Sequence, residues 1–205
     1  MSAPKIFFTS DTHFGHANII RNAKRPFSSV EEMDAVLIER WNKVVGLHDR
    51  VYHLGDFTFM AKGEAKASGN PAKYYGDKLN GEIVLVLGNH DHDSLKPAAR
   101  YMFESIHEKL EIAVGMDIID FGEGKHIKQH ITLCHYAMKV WNKSHHGAWQ
   151  LYGHSHGSLP DDPNSLSFDV GVDCWDFTPV SIEQIRAKMR TKTWKAIDHH
   201  TKEVD

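Results

Sequence analysis

Glu82-Ile-Val-Leu-Val-Leu-Gly-Asn-His-Asp91 is the stretch that decides how this chain is read. Glu82 to Leu87 is an unbroken apolar run after its first residue, rich in β-branched and aliphatic side chains, and reads as a buried strand. Gly88 to Asp91 follows at once and is wholly polar or flexible. A glycine and an asparagine are enough to make a tight turn. A turn does not require His90 and Asp91 directly behind it, whereas a metal site does make use of such side chains.

The same arrangement recurs outward from that point. Lys5 to Thr9 (KIFFT) runs into Ser10-Asp11-Thr12-His13, and Arg50 to Leu54 (RVYHL) runs into Gly55-Asp56. His130 to Cys134 (HITLC) is followed by His135, and Trp149 to Tyr152 (WQLY) by Gly153-His154-Ser155-His156. Taken singly, a DxH or a Gly-Asp pair is weak evidence, and GHxH after an apolar run is moderately specific. Taken together, five polar clusters at five strand ends are a poor accident. They deliver Asp11, His13, Asp56, Asn89, His135, His154 and His156: two carboxylates, one amide and four imidazoles. Such a set is too rich in nitrogen for calcium or a simple magnesium site; manganese, iron, zinc, cobalt or nickel fit. Cys134 falls on the opposite strand face from His135 and stays outside the set.

Seven ligands at strand ends predict one site for two divalent ions. Two such ions bring four positive charges and Asp11 and Asp56 cancel two, which leaves a site suited to a phosphate ester. A histidine beside the ions would serve the leaving alkoxide with a proton.

The remaining sequence supplies the frame. Ser28 with Glu31 and Ser29 with Glu32 form overlapping capping boxes. Behind them Val30, Met33, Leu37, Trp41 and Val44 recur at helical spacing up to Gly46. Short helices are expected at 72–79 and 97–101, a Ser-capped one at 181–189, and a strand at 167–172. Residues 103–121 read as two strands of a more exposed layer. Helices and strands alternate first and strands dominate later, which predicts a layered α/β fold. The chain has 205 residues, 41% hydrophobic and 25% charged, which suits one domain over 1–205 with a polar tail at 191–205 that frays. A formal net charge of -3 gives no global basic footprint for nucleic acid. Two cysteines without CxxC spacing, no signal-like N-terminus and no run of roughly 20 apolar residues lead to the expectation of a soluble cytoplasmic protein.

In order along the chain, DTH, GD, GNHD, CH and GHSH resemble the calcineurin-like metallophosphoesterase superfamily. FTSDTHFGHANII, HLGDF and GVDCWDFTPVS are similar to its small single-domain bacterial and phage members. The resemblance implies a four-layered αββα sandwich and a hydrolase in which metal-bound hydroxide attacks phosphorus. It implies Asp11, His13 and His156 on one ion, Asn89, His135 and His154 on the other, and Asp56 between them. It also implies His90 as the acid that protonates the leaving group, with Asp91 orienting His90 through its ring. Manganese is the first expectation for both ions. A phosphodiesterase acting on a nucleotide or short nucleic acid is expected, with no membrane and no obligate protein partner. The alternatives are a phosphomonoesterase or protein-phosphatase-like enzyme, a metallo-β-lactamase-like hydrolase (whose HxHxDH cluster this chain lacks), and a non-catalytic interaction scaffold.

Outside the motifs, His16 reads either as a contact to substrate phosphate or as a turn histidine. Arg21, Lys24 and Arg25 form a basic cluster that would attract phosphate or simply line a solvated loop. Trp175, flanked by Asp173 and Asp176, either stacks on a base or packs. His145 and His146 read as exposed loop residues, and Cys174 as a free thiol.

Overall fold

A computed structural model of the chain describes residues 3–91, 95, 97–117, 126–195 and 197. The element order is β1 (Ile6–Thr9), α1 (Ala17–Asn22), α2 (Val30–Val44), β2 (Arg50–His53), α3 (Gly63–Ala67), α4 (Pro71–Gly76), β3 (Glu82–Val86), β4 (Ser105–His107), β5 (Leu110–Asp117), β6 (His126–Leu133), β7 (Trp149–Tyr152), β8 (Ser167–Asp169), β9 (Val180–Ser181) and α5 (Ile182–Met189). They build two sheets, ordered β4-β3-β2-β1-β9 and β5-β6-β7-β8. β1 to β4 are parallel and β9 closes the first sheet antiparallel. In the second, β6, β7 and β8 are parallel and β5 pairs antiparallel with β6. The mixed α/β architecture with two sheets flanked by helices is the one expected.

The two sides of the first sheet show why the chain folds this way. Alternate residues of a strand face opposite sides. Phe7, Val51, Ile83 and Leu85 face α2 and its neighbours, in a core with Met33, Leu37 and Trp41. Phe8, Tyr52, Val84 and Val86 face Ile131, Leu133, Leu151 and Phe168 of the second sheet. The three α2 residues are spaced four apart and buried, and burial of such side chains contributes about 1.5–3 kcal/mol each. Ile182, Ile185 and Met189 of α5 join the core between the sheets. At the start of α2 the two capping boxes merge. Ser29 Oγ accepts from Glu32 N at 3.1 Å, while the Glu32 carboxylate takes Ser28 N at 2.7 Å.

Register then sets the site. Thr9 lies beside His53, and His53 beside Leu85, so residues 10–13, 54–56 and 87–91 leave the first sheet together. Leu133 lies beside Leu151, and Tyr152 beside Asp169, so residues 134–135, 153–156 and 170–173 leave the second sheet together. A bridge between Ser10 and Gly171 joins the two sets of loops. Ligand sites in parallel α/β sheets form at this carboxyl edge.

Several expectations need correction. The two strands within 103–121 separate: β4 extends the first sheet beside β3, and β5 is the edge of the second. α1 and α3 are short helices for which the sequence raised no expectation. The segment at 97–102 is a 3-10 turn. The start of the tail is docked, because Lys192 is buried and its Nζ donates to the carbonyls of Asp162 at 2.9 Å and Ser167 at 3.1 Å. Positions 196 and 198–205 lie outside the described residues.

Candidate metal centre

Two clusters of ligand-type side chains converge at that edge. Asp11, His13 and His156 form one; Asp56, His135 and His154 form the other. Asp56 lies between them, with Oδ2 3.5 Å from His13 Nε2 and 3.6 Å from His135 Nε2. Asn89 joins the second cluster, its Oδ1 3.1 Å from His135 Nε2. All seven residues expected as ligands are thus gathered in one place.

The donor atoms and their surroundings suit a cation. His135 Nδ1 faces the Leu54 carbonyl at 2.7 Å. A carbonyl only accepts, so Nδ1 carries a proton and Nε2 is the ring nitrogen that faces Asn89 Oδ1 and the second cluster. Asp11 Oδ1 and both ring nitrogens of His13 are buried without a hydrogen-bond partner. Unpaired buried polar atoms of this kind are rare in folded proteins and call for an explanation. Burial pushes the Asp11 carboxyl up to about 8, with Asp169 and Asp56 adding to the rise. Burial holds His13 well below the usual histidine range, with His156 and Arg25 reinforcing it. The donor chemistry therefore fits two divalent ions, with neutral imidazoles and carboxylates as ligands.

The backbone carries the cost of this convergence. Asp11, His13, Asp56, His154 and His156 all have positive φ, between 46° and 66°. The left-handed region is uncommon for residues with a side chain and is held only where the surroundings enforce it. Glycines make the room. A Cβ on Gly88 would lie 2.3 Å from Asp56 Oδ1, and one on Gly153 2.4 Å from Asp11 Oδ2.

A second layer positions the first. Asp173 Oδ2 receives His156 Nδ1 at 2.7 Å, which leaves His156 Nε2 as the metal-facing nitrogen. Asp173 is itself held by Arg25 through two bonds of 2.8 Å. Burial alone would lower the His156 pKa, but Asp173 and Asp11 outweigh it and raise it. Arg25 also donates to the carbonyls of Thr12 at 3.1 Å and Asp11 at 2.6 Å. Arg25 is therefore neither a phosphate lure nor a solvated loop residue; it is buried and braces the DTH loop. His53 is another brace that the sequence reading passed over. Its Nε2 pairs with Thr12 Oγ1 at 3.0 Å and its Nδ1 accepts Gly55 N at 3.3 Å. Burial drives its pKa down to about 3, so it stays neutral.

Asp91 takes a role different from the one expected. Its carboxylate points under the loops and accepts three main-chain N–H groups, Asp56 at 2.7 Å, Gly88 at 2.8 Å and Phe57 at 3.0 Å. It welds the GD loop to the GNHD loop. Among the described residues, Phe59 lies against the His90 ring, with ring centroids 4.0 Å apart.

A cavity of about 610 Å³ opens over the clusters, lined by His13, His16, Asp56, Asn89, His90 and Lys24 among others. His16 is at the site, buried, its ring 5.5 Å from that of His13. Lys24 is the part of the basic cluster that lines the cavity, while Arg21 is exposed at the end of α1 and is not among the lining residues. Trp175 packs instead of stacking on a ligand: its indole N–H donates to the Asp169 carbonyl at 3.0 Å and its ring lies 5.9 Å from Phe168. His145 and His146 lie in a 3-10 turn outside the cavity lining. Cys134 and Cys174 are free thiols.

The fold and the clusters define a mixed α/β protein with ligand sets for two metal ions. Among sequences, the chain is 35% identical over 190 residues to an uncharacterized protein of Methanocaldococcus jannaschii, covering 90% of this chain and 91% of that one. It is 30% identical over 190 residues to the Gene 66 protein of Mycobacterium phage L5, covering 82% of this chain and 86% of that one. The chain belongs to the family these proteins form. No protein-family profile matches it. A solved protein of unknown function from Aquifex aeolicus shares the fold, with a TM-score of 0.59, 21% identity, and coverage of 90% of this chain and 99% of that chain. Among the described residues, no helix is long and apolar enough to cross a membrane.

Proposed function

We propose that this chain is a cytoplasmic, single-domain phosphoesterase of the calcineurin-like superfamily, that it works with two divalent ions, manganese first among them, and that it prefers phosphodiesters of nucleotides or short nucleic acids. The observation that carries the reading is Asp56, whose Oδ2 stands 3.5 Å from His13 and 3.6 Å from His135, between two ligand clusters. Asp11, His13 and His156 would hold one ion; Asn89, His135 and His154 the other; Asp56 both. When bound, such a pair supplies positive charge for the phosphate oxygens and acidifies a water beside phosphorus.

Hydrolysis makes a P–O bond to the water oxygen and breaks the ester P–O bond, so the departing alkoxide needs a proton. In this reading His90 gives it. Its main-chain N–H donates to Asp56 Oδ1 at 2.9 Å, which ties the acid to the bridging carboxylate. Phe59 on one side and His13 at 5.6 Å on another bound the ring. His16 sits beside both and would contact substrate phosphate, and Lys24 supplies a permanent cation in the wall.

The test is hydrolysis of bis-p-nitrophenyl phosphate by chelator-stripped protein given manganese, iron, zinc, cobalt or nickel. Turnover should return with metal, at about two ions per chain. His90→Ala should lower kcat about 100-fold and leave metal content unchanged. Loss of metal in that variant would make His90 a ligand. A folded protein that shows no turnover with any of these metals overturns the reading.

A further inference from the structure

The outer face of the second sheet holds another cavity, of about 390 Å³, whose walls include Trp141, Tyr152, Leu159, Trp194, Lys139 and Lys195. Its size falls in the range of small-ligand sites. Three lining residues are exposed apolar groups: Leu159 at 45%, Trp194 at 40% and Ile197 at 60%. Apolar exposure gathered around one cavity marks a place where something binds. Trp141 gives its indole N–H to the Ala148 carbonyl at 2.9 Å, so what it offers the cavity is a ring face. The acidic groups nearby are engaged elsewhere. Asp161 is held by Lys188 and Lys192, and the Asp162 carboxylate takes Asn164 N at 2.8 Å. Lys139 and Lys195 are exposed at the rim. The walls are aromatic, and Lys139 and Lys195 bring positive charge to the rim, beside one lining carboxylate, that of Asp162.

This cavity is joined to the metal centre by two short pieces of chain. Ala137 and Met138 line it, and His135 is only two residues before Ala137, about 7 Å of extended chain at most. Leu159 and Pro160 line it from the other side, just past the loop that carries His154 and His156. Tyr136, next in sequence to Ala137, is 47% exposed, its ring 5.0 Å from His135 and 4.8 Å from His154. Gln150 Nε2 donates to the Tyr136 carbonyl at 3.2 Å and steadies that connection.

We propose that this cavity is a second binding site, taking the base end of a nucleotide ester whose phosphate lies at the metal centre, with Tyr136 between the two; the proposal rests on the phosphoesterase reading. A nucleobase offers a flat π face to Tyr and Trp rings whatever its identity. A sugar phosphate or other aliphatic ester offers those rings nothing.

The test uses Trp194→Ala, at an exposed position, and Tyr136→Ala. With metal-free protein, adenosine 5′-monophosphate binding is measured by calorimetry; Trp194→Ala should weaken it at least tenfold. With the metal-loaded enzyme, both variants should raise KM for a dinucleoside monophosphate at least fivefold, while kcat of Trp194→Ala on the same substrate stays within twofold. Unchanged nucleotide binding and unchanged dinucleotide KM in Trp194→Ala overturn the second site and leave the phosphoesterase reading standing. Absence of bis-p-nitrophenyl phosphate turnover in the wild type sinks that reading instead, and this proposal with it. A solution dimer that Trp194→Ala dissociates would make the patch a contact between two copies and overturn the proposal.

Discussion

Two layers of buried polar groups lie one beneath the other at the carboxyl edge of the sheets, and they follow opposite rules. In the upper layer Asp11 Oδ1 and the His13 nitrogens are buried and unpartnered, on backbone in the left-handed region. In the lower layer Asp91, His53, Arg25 and Thr12 have their polar groups matched to partners. A satisfied buried network rigidifies, whereas an unsatisfied one costs stability until something binds. The contrast separates the residues suited to hold a cation from those that hold them in place, although both sets are buried and polar and alternate within the same loops.

The sharpest way to break that contrast is at Asp56, which reaches both ligand clusters. Asp56→Asn keeps the shape and removes the charge. We expect it to abolish turnover, by at least about a thousandfold, and to loosen both ions. Metal content measured by atomic spectroscopy together with kcat checks this. Full activity, or loss of one ion only, would remove Asp56 from its place between the clusters.

Asp91 tests the lower layer. Asp91→Ala would leave three buried N–H groups without an acceptor, at about 1–3 kcal/mol each, so a loss of roughly 3 kcal/mol or more is expected in denaturant unfolding. A variant of wild-type stability with altered pH dependence of kcat would return Asp91 to the chemistry.

The upper layer was legible in the sequence because each ligand is a chemically marked residue directly after an apolar run. The lower layer was not, because its partners are brought together only by the fold. Arg25 and Asp173 are 148 residues apart, and nothing local links them. Asp91 misled for the opposite reason. It adjoins His90 in sequence, yet the turn after β3 swings its carboxylate back beneath Asp56 and Gly88. α1 and α3, six and five residues long, show no apolar periodicity to find. β4 reads as a strand in either sheet, and only pairing with β3 decides which.

Asp34 sharpens the comparison from below. It is satisfied, with Gly15 N at 3.0 Å and Tyr75 OH at 2.8 Å, yet burial still lifts its carboxyl to about 6. The folded chain therefore holds this proton more tightly than the unfolded chain does. The stability it contributes is complete below pH ~4 and is lost as pH rises through about 6. Asp34→Asn mimics the protonated acid at every pH. The wild type should lose on the order of 2 kcal/mol relative to this variant between pH 4 and pH 7, read from parallel denaturant curves. Parallel pH profiles would show that Asp34 ionises without penalty.

The smallest expected effect falls on the link between the layers. Asp173 is not among the residues lining the cavity; it accepts from His156 and is gripped by Arg25. Asp173→Asn keeps an acceptor for His156 Nδ1–H but removes the charge that makes the imidazole a better ligand and pairs Arg25. Partners of this kind are worth roughly 10–100-fold in metal affinity. Because Asp173 contacts only the cluster of Asp11, His13 and His156, one of two binding steps should weaken, by about tenfold, while the other holds. Titration of the stripped variant with manganese resolves the two steps, and saturating metal should restore most of the activity. If both steps weaken equally, the two ions are coupled through more than Asp56. If neither moves, the Asp173 carboxylate serves the Arg25 brace alone, and the boundary between the two layers runs above it instead of through it.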